Sequence, residues 1–462
     1  MIFKTFKLIL ISLALFSSAV FANFPAYVEL NVGESVKIDN YPEITLVSKR
    51  VVYFDSTHNR IGAADITLKV GNETVVAPVG YESPDVIARN ARIGAELVSD
   101  YEKDFTNQRF HLIKDARIRI SNANEPLMPK NSHVYPLDTP WNSGFRTQGW
   151  LCVCFNINIL EGNEEMKAQR YHDGWDIGVW EGQLVRSVCT GTVVSPDDYP
   201  DFIETGLLYN KNDARVGPNP FLVKPDNAPV LYYYTHMSGL ARDFKAGDII
   251  KKGEPLGYAS SRGSSGGWYH LHFSIIHLEK KVHVNPYPYL KEWYEESQPQ
   301  NQDFMNEFDV YYHPELSAEK EQFEQNVVAN KIEPTRHFRS DVHGVVHVRE
   351  AVAKAPHAGL NHVIFYQFAV LKGQFKVDDA MDGELWFGHT GKARVYLNGT
   401  KVYDGENNNP YHRSKQPFQW DSVMMQVQFN QGLNEVIIAI EQTNPFWSFS
   451  IRPRNRLGIP LN

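Results

Sequence analysis

Two short motifs in the middle of the chain carry side chains that suit metal-assisted hydrolysis. The first spans 172–176 and reads His-Asp-Gly-Trp-Asp, so it offers an imidazole at His172 and a carboxylate at Asp176. Gly174 and the strand-like residues after it argue against a helix, so the two side chains must converge through a turn, which glycine permits. One nitrogen and one oxygen ligand are half of a catalytic zinc set.

The second motif lies in an alternating run at 268–275, and this alternation predicts a β-strand. Residues two apart on a strand point to the same face, so His270 and His272 project into one space. A tyrosine-rich run earlier in the chain ends at His236, and alternation places Tyr234 and His236 on one face. The sequence thus supplies three further imidazoles for the same site.

These side chains can supply the three ligands of a catalytic zinc and leave two histidines for other roles. Such a zinc keeps three protein ligands, leaves a fourth position to water, lowers the pKa of that water to about 7 and polarises a carbonyl. A neutral imidazole nearby can accept the water's proton or hydrogen-bond an oxyanion. A single histidine in a strand usually has a structural role, so the hypothesis of amide hydrolysis depends on the whole combination.

The N-terminal segment predicts export. It has a basic start with Lys4 and Lys7, an apolar run at 8–16 and small residues before the expected cleavage after position 22. These are the features of a secretory signal peptide, here 1–22. The alternative, a membrane anchor, needs a longer apolar run. We therefore expect a secreted protein, periplasmic or extracellular, with no membrane span.

Charge and cysteine content narrow the class of protein further. The net charge is -8, so a broad basic surface for nucleic acid is not expected. The three cysteines are too few for a disulfide scaffold. The open alternatives are one bridge, from Cys189 to Cys152 or Cys154, and buried thiols.

Short alternating runs separated by turn residues predict a mainly β, multidomain chain. Its 462 residues have room for about three domains. Beyond the signal peptide we expect an N-terminal β domain at 23–135, the histidine-motif domain at 136–290, a connector with one helix at 291–345, and a C-terminal β-sandwich at 346–462. The helix is expected over Ala318–Asn330.

The middle domain resembles the lysostaphin/LytM-type zinc metalloendopeptidases, peptidase family M23. The resemblance rests on an H-x-G-x-D-type motif, here 172–176, and a later H-x-H motif, here 270–272. Between them lie a tyrosine-rich strand that ends in His236 and a glycine-and-lysine segment at 246–257. Asn285, followed by proline, also matches the family pattern.

The resemblance implies a compact antiparallel β-sheet with one Zn²⁺ ion in a long groove. It implies that His172, Asp176 and His272 are the metal ligands and that His236 and His270 are the catalytic pair. The usual substrates of the family are the peptide cross-links of bacterial peptidoglycan.

Two stretches at 147–171 and 195–229 depart from the family pattern as insertions, and both could form walls of the groove. They leave open whether the substrate is a peptidoglycan cross-link or an extracellular protein or peptide. A third alternative is a non-catalytic module for cell-wall binding or regulation, against which the complete five-residue set argues.

The C-terminal domain resembles galactose-binding-like β-sandwiches through 395–399 and 432–435. This resemblance implies carbohydrate as a second partner. The alternative is a structural or protein-contact module, since a fold does not fix a function. Trp386, Trp420 and Trp447 could stack on sugars, although buried tryptophan more often fills a core.

Overall fold

The protein is mainly β, as predicted, in the computed structural model. The residues that the structure describes are 24–53, 61–79, 85–101, 111–137, 146–148, 153–154, 170–179, 181–209, 217–263, 269–297, 304–312, 319–340, 344–353, 368–407, 422–441, 447–457, 459 and 461. The predicted signal peptide lies outside them. None of the helices in these ranges is long and apolar enough to cross a membrane.

The N-terminal β unit is a single eight-stranded sheet. Its strands are β1 (Ala26–Leu30), β2 (Ser35–Val36), β3 (Ile44–Tyr53), β4 (Ile61–Val70), β5 (Glu73–Val79), β6 (Val86–Ala88), β7 (Ala91–Val98) and β8 (Ala116–Asn122). The order is β1-β8-β7-β5-β4-β3-β2, with β6 paired to β7. Alternate residues such as Leu46, Ile66 and Ile118 are fully buried, which explains the alternating sequence pattern.

The middle unit is built around a second eight-stranded sheet with two smaller sheets beside it. Its strands are β9 (Arg146–Gln148), β10 (Val153–Cys154), β11 (Arg170–Tyr171), β12 (Trp175–Gly178), β13 (Leu184–Arg186), β14 (Gly191–Val194), β15 (Phe221–Pro225), β16 (Val230–Thr235), β17 (Met237–Leu240), β18 (Ile249–Ile250), β19 (Pro255–Ala259), β20 (His270–His277) and β21 (Val282–Val284). The main order is β18-β14-β15-β16-β20-β12-β9, with β21 on β20. Two helices flank the sheet, α1 (Pro200–Glu204) and α2 (Tyr287–Ser297).

The C-terminal unit consists of a six-stranded and a four-stranded sheet that enclose one core, as expected for a β-sandwich. The strands are β22 (Glu307–Tyr311), β23 (Arg336–Arg339), β24 (Val345–His347), β25 (Phe368–Val377), β26 (Met381–His389), β27 (Gly391–Leu397), β28 (Thr400–Asn407), β29 (Val423–Phe429), β30 (Gly432–Glu441) and β31 (Ser448–Asn455). The helices are α3 (Lys320–Val328), which falls within the predicted helical segment, and α4 (Val348–Ala353).

Two strands from the predicted connector, β22 and β23, belong to the six-stranded sheet in the order β23-β22-β25-β30-β27-β28. The other sheet has the order β24-β31-β26-β29. The β structure of the C-terminal unit therefore starts earlier in the chain than position 346. The domain boundaries as a whole stay a prediction.

The N-terminal sheet packs directly against the middle unit through a continuous hydrophobic core. The hydroxyl of Tyr27 lies 2.7 Å from that of Tyr289 in α2, and both are buried. Rings of Phe24 and Tyr27 each meet His277 at 5.5 Å between centroids. Alternation along β20 directs His277 to the face opposite His272, so these contacts support the back of the sheet that carries the histidine motif.

Cys189 is a free thiol and is buried beside the sheet. Of the two open alternatives, a bridge from Cys189 is therefore wrong, and a buried thiol applies to this residue. Burial raises the pKa of the Cys189 thiol, which keeps it protonated and unreactive. Cys152 lies outside the described residues.

Candidate metal centre

The site is organised by the central strand β20 and its two neighbours. Asp176 in β12 lies directly opposite His272 in β20, and Thr235 at the end of β16 lies opposite the same histidine from the other side. Residues opposite each other in antiparallel strands point to the same face. The register therefore brings the carboxylate of the first motif to the second histidine of the second motif.

Three nitrogen and oxygen atoms form a small triangle at this face. His272 Nδ1 lies 2.8 Å from Asp176 Oδ1 and 2.9 Å from His172 Nε2, and the third side, from His172 Nε2 to Asp176 Oδ1, is 3.2 Å. All three residues are buried. Metal–ligand bonds of about 2.0–2.1 Å in a tetrahedron place ligand atoms about 3.3 Å apart, so these atoms fit a zinc ion with small adjustments. They are the residues expected to be ligands.

The sequence predicted that Gly174 permits a turn, but the structure gives a different reason for glycine at this position. It does not adopt a positive φ. A Cβ atom at this position would instead lie 2.7 Å from both Cε1 and Nε2 of His272 and 2.6 Å from Ser274 Oγ. The backbone between His172 and Asp176 thus packs against the outer edge of the His272 ring, where only glycine leaves enough space.

His236 reaches the site by leaving its strand. Tyr232 and Tyr234 pack on Phe273, which points away from the metal-ligand face, with ring centroids 5.9 and 5.2 Å apart. His236 follows β16 and adopts a left-handed φ of 65°. Its ring centroid lies 4.4 Å from that of His270. The prediction that alternation places His236 with Tyr234 was therefore wrong, because the chain turns at this histidine.

One hydrogen bond of His236 identifies the ring nitrogen that carries the proton. Its Nδ1 lies 3.1 Å from the carbonyl oxygen of Arg262, which can only accept, so Nδ1 donates. Burial, together with His270 and His272 nearby, holds the pKa of His236 well below its usual range. The ring is therefore neutral near pH 7, and its Nε2 keeps a lone pair.

Asp176 is the anionic centre of the group. Burial by itself would raise its pKa, but the neighbouring His172 and His270, and hydrogen-bond contacts with His172 and His272, hold the pKa of Asp176 well below its usual range. Its second oxygen, Oδ2, lies 3.5 Å from His270 Nε2. Asp176 therefore contacts three of the four histidines, and the structure brings all five residues singled out from the sequence into one cluster.

Three buried polar residues beside this cluster were not predicted: Asp173, Ser274 and His283. Ser274 follows His272 by two positions on the same strand, so period-two alternation could have placed it on the metal-ligand face. Asp173 lies between two predicted ligands, where a turn or surface role was the simpler expectation. For His283 the sequence contains no comparable signal, because its strand β21 only joins the site through pairing with β20.

The predicted insertion at 195–229 is partly integrated in the sheet. It contains α1 and β15, which pairs with β14 and β16. Phe202, Leu207 and Leu208 pack on Tyr233 and Ile276 in a separate hydrophobic cluster. Ile276 lies on the same face of β20 as His272, so the insertion covers the part of that face beyond Ser274. Most of the other predicted insertion, at 147–171, lies outside the described residues.

The segment that contains the site matches a known peptidase family. Residues 170–286 match the model of peptidase family M23. The L-Ala--D-Glu endopeptidase of Bacillus subtilis (strain 168) is 26% identical over 134 residues, which are 27% of this chain and 36% of that protein. The present chain thus spans about a third of the length of this curated relative.

Similar solved structures carry related descriptions. The catalytic domain of lysostaphin from Staphylococcus simulans is 24% identical with a TM-score of 0.21, covering 26% of this chain and 80% of that one. A point mutant of the catalytic domain of the M23 protein EnpA from Enterococcus faecalis is 22% identical with a TM-score of 0.20, covering 27% and 83%. From this family match, the chain contains a peptidase family M23 domain at residues 170–286.

Proposed function

We propose that this protein is a secreted zinc-dependent endopeptidase that hydrolyses peptide bonds in peptidoglycan cross-links. The observation that carries the proposal is the buried triangle of His172 Nε2, Asp176 Oδ1 and His272 Nδ1, with sides of 2.8–3.2 Å and two further imidazoles beside it. Two neutral imidazoles and one carboxylate are a common protein ligand set of catalytic zinc.

When bound at this triangle, zinc supplies Lewis-acid polarisation of the scissile carbonyl and lowers the pKa of coordinated water to about 7. Asp176 neutralises part of the ion's charge and holds its two histidine neighbours. His236, neutral and with its proton on Nδ1, can accept the water's proton at Nε2. His270, whose Nε2 lies 3.5 Å from Asp176 Oδ2, can donate a hydrogen bond to the developing oxyanion.

The choice of substrate and compartment rests on two supports. The matched relative is by name an endopeptidase that acts at an L-Ala–D-Glu bond, and the sequence begins with the features of a secretory signal. Peptidoglycan offers peptides of this kind outside the cytoplasm. An extracellular protein substrate is the outcome that product analysis would reveal instead.

The test pairs metal analysis with product identification. The purified full chain should hold stoichiometric zinc and release muropeptides from purified cell walls, with mass spectrometry locating the cleaved amide bond. Chelator treatment or His172→Ala should abolish both zinc retention and release. A matched control is His337→Ala, because His337 is exposed, with 60% of its side chain accessible, and lies in the C-terminal unit.

Two results would overturn the proposal. One is a His172→Ala protein that cleaves cell walls as well as the unchanged chain. The other is cleavage of proteins from a substrate panel without any muropeptide product, which would retain the peptidase and replace its substrate.

We also propose that the C-terminal unit binds carbohydrate, through Trp386. Of the other two tryptophans considered, Trp420 lies outside the described residues, and Trp447 is buried in the sandwich core and donates to a backbone carbonyl, so it is not available for stacking. Trp386 is half-buried, its Nε1 donates to Glu384 Oε2 at 2.8 Å, and the Arg454 guanidinium lies 5.8 Å from its ring centre. An aromatic ring with charged hydrogen-bonding neighbours suits a sugar face.

Trp386→Ala should weaken cosedimentation with peptide-free glycan strands; unchanged binding would contradict this role.

A further inference from the structure

The two ring nitrogens of His272 have different surroundings. Nδ1 faces the triangle with His172 and Asp176. Nε2, on the opposite edge of the ring, lies 2.8 Å from Ser274 Oγ. A neutral imidazole carries one proton, so a histidine that binds a metal through Nδ1 must keep its proton on Nε2. The group that accepts this proton decides whether Nδ1 is free to bind.

Ser274 is well placed for this task. It is fully buried and follows His272 on β20, so both side chains point to the same face. Its hydroxyl oxygen can accept from Nε2–H, which fixes both the tautomer and the orientation of the ring. Partners of this kind commonly hold metal-bound histidines in place.

A buried carboxylate adds a favourable charge on the same edge of the ring. Asp173 Oδ1 lies 3.8 Å from His272 Nε2, and Asp173 Oδ2 lies 4.0 Å from His283 Nε2. His283 Nε2 also lies 2.9 Å from the carbonyl oxygen of Leu207, to which it must donate. A negative charge near Nε2 of His272 stabilises a proton there and makes Nδ1 a better electron donor.

We propose that Ser274 and Asp173 are positioning residues that hold His272 in the tautomer that binds zinc through Nδ1. Neither residue joins the ligand triangle, and both act through His272. This inference rests on the proposed zinc site. It also gives the first motif a second purpose, because Asp173 and Gly174, between the two ligands, enclose the outer edge of the His272 ring.

The test measures zinc affinity rather than activity. In the full chain, zinc would be competed against a chromogenic chelator. Ser274→Ala and Asp173→Asn should each weaken zinc binding by about 10–100-fold, the range seen when such partners are removed. The matched control is Ser187→Ala, since Ser187 is also fully buried and donates to the carbonyl oxygen of Cys189 at 2.7 Å.

Folding is monitored separately by circular dichroism. Zinc affinity in folded Ser274→Ala and Asp173→Asn equal to that of the unchanged chain would overturn the inference and leave the proposed function intact. Failure of the unchanged chain to hold zinc would overturn both.

Discussion

Asp176 and His272 lie directly opposite each other on antiparallel strands β12 and β20, with Asp176 Oδ1 2.8 Å from His272 Nδ1. This pairing joins two motifs that are 96 residues apart in the chain. A one-residue change of register would turn one of the two side chains to the opposite face. The metal centre is therefore a property of the sheet register as much as of the residues.

Replacement of the two non-ligand histidines should separate metal binding from catalysis. We expect His236→Ala and His270→Ala to retain stoichiometric zinc and to lower the rate of cell-wall peptide hydrolysis by about 10²–10⁴-fold, the usual contribution of a general acid or base. The physical reason is that both rings lie beside the ligand triangle without forming it.

Atomic absorption and the initial rate of muropeptide release check this prediction together. Loss of zinc in either variant would mean that the histidine is a ligand. A rate within a few-fold of the unchanged chain would remove its catalytic role.

Gly174→Ala should disrupt the metal centre although alanine is only one methyl larger. Its Cβ would lie 2.6 Å from Ser274 Oγ and 2.7 Å from the His272 ring, so the histidine must move. We expect the loss of most zinc binding in a chain that still folds. The control is Gly239→Ala, because Gly239 in β17 has no positive φ and a Cβ atom there would meet no atom of the described residues within 4 Å beyond its chain neighbours.

Zinc competition and thermal unfolding, measured on both glycine variants, distinguish loss of the site from loss of the fold. Equal zinc affinity in Gly174→Ala and the unchanged chain would show that the ring can shift without consequence.

The contact between the N-terminal sheet and the middle unit should be stabilising. Glu96 Oε1 accepts from Arg119 Nε at 2.9 Å, and Glu96 Oε2 accepts from the backbone N–H of Asn285 at 2.7 Å. Both charged side chains are almost completely buried. Among the described residues, Asp85 is the carboxylate that remains beside the buried guanidinium of Arg119 in Glu96→Ala, so we expect the free energy of unfolding to fall by about 3–5 kcal/mol.

Urea titration followed by tryptophan fluorescence measures the change. Glu43→Ala is the control, because Glu43 is exposed on the same unit and should alter stability by no more than about 0.5 kcal/mol. A similarly small effect of Glu96→Ala would argue that the two units are only loosely joined.

Acid should lower the free energy of unfolding through protonation of His133, which is buried in the core shared by the N-terminal sheet and the middle unit. Its buried ring stacks on that of Trp293 and is hydrogen-bonded to the hydroxyl of Tyr232. Burial, together with the charge of Lys252, lowers the pKa of His133 to about 3. The unfolded chain, with a histidine pKa of about 6.5, binds more protons between about pH 3 and 6.5. Stability should therefore fall as the pH is lowered through this window, by up to about 1.4 kcal/mol per pH unit from this histidine.

Urea unfolding between about pH 7 and pH 4 tests the sign and the size of the slope. His133→Gln keeps polar groups at the position but does not titrate, so its stability should depend less on pH. Identical slopes for the two proteins would assign the acid sensitivity to other groups.

The sequence by itself determined the residues of the candidate site and the mainly β architecture. Histidines two apart on a strand share a face by backbone geometry alone, which is why His270 and His272 were placed together correctly. Alternating runs likewise predicted strands, since burial of one face imposes a period of two.

Only the tertiary structure decided how these local pieces meet. The register of β12 against β20, the left-handed φ of His236 and the close approach of Gly174 to His272 each depend on contacts between distant segments. The same holds for Ser274 and Asp173, whose relation to His272 Nε2 depends on which ring edge faces the metal-ligand triangle. Local sequence patterns fix which way a side chain points along its own strand, whereas long-range packing fixes what it meets.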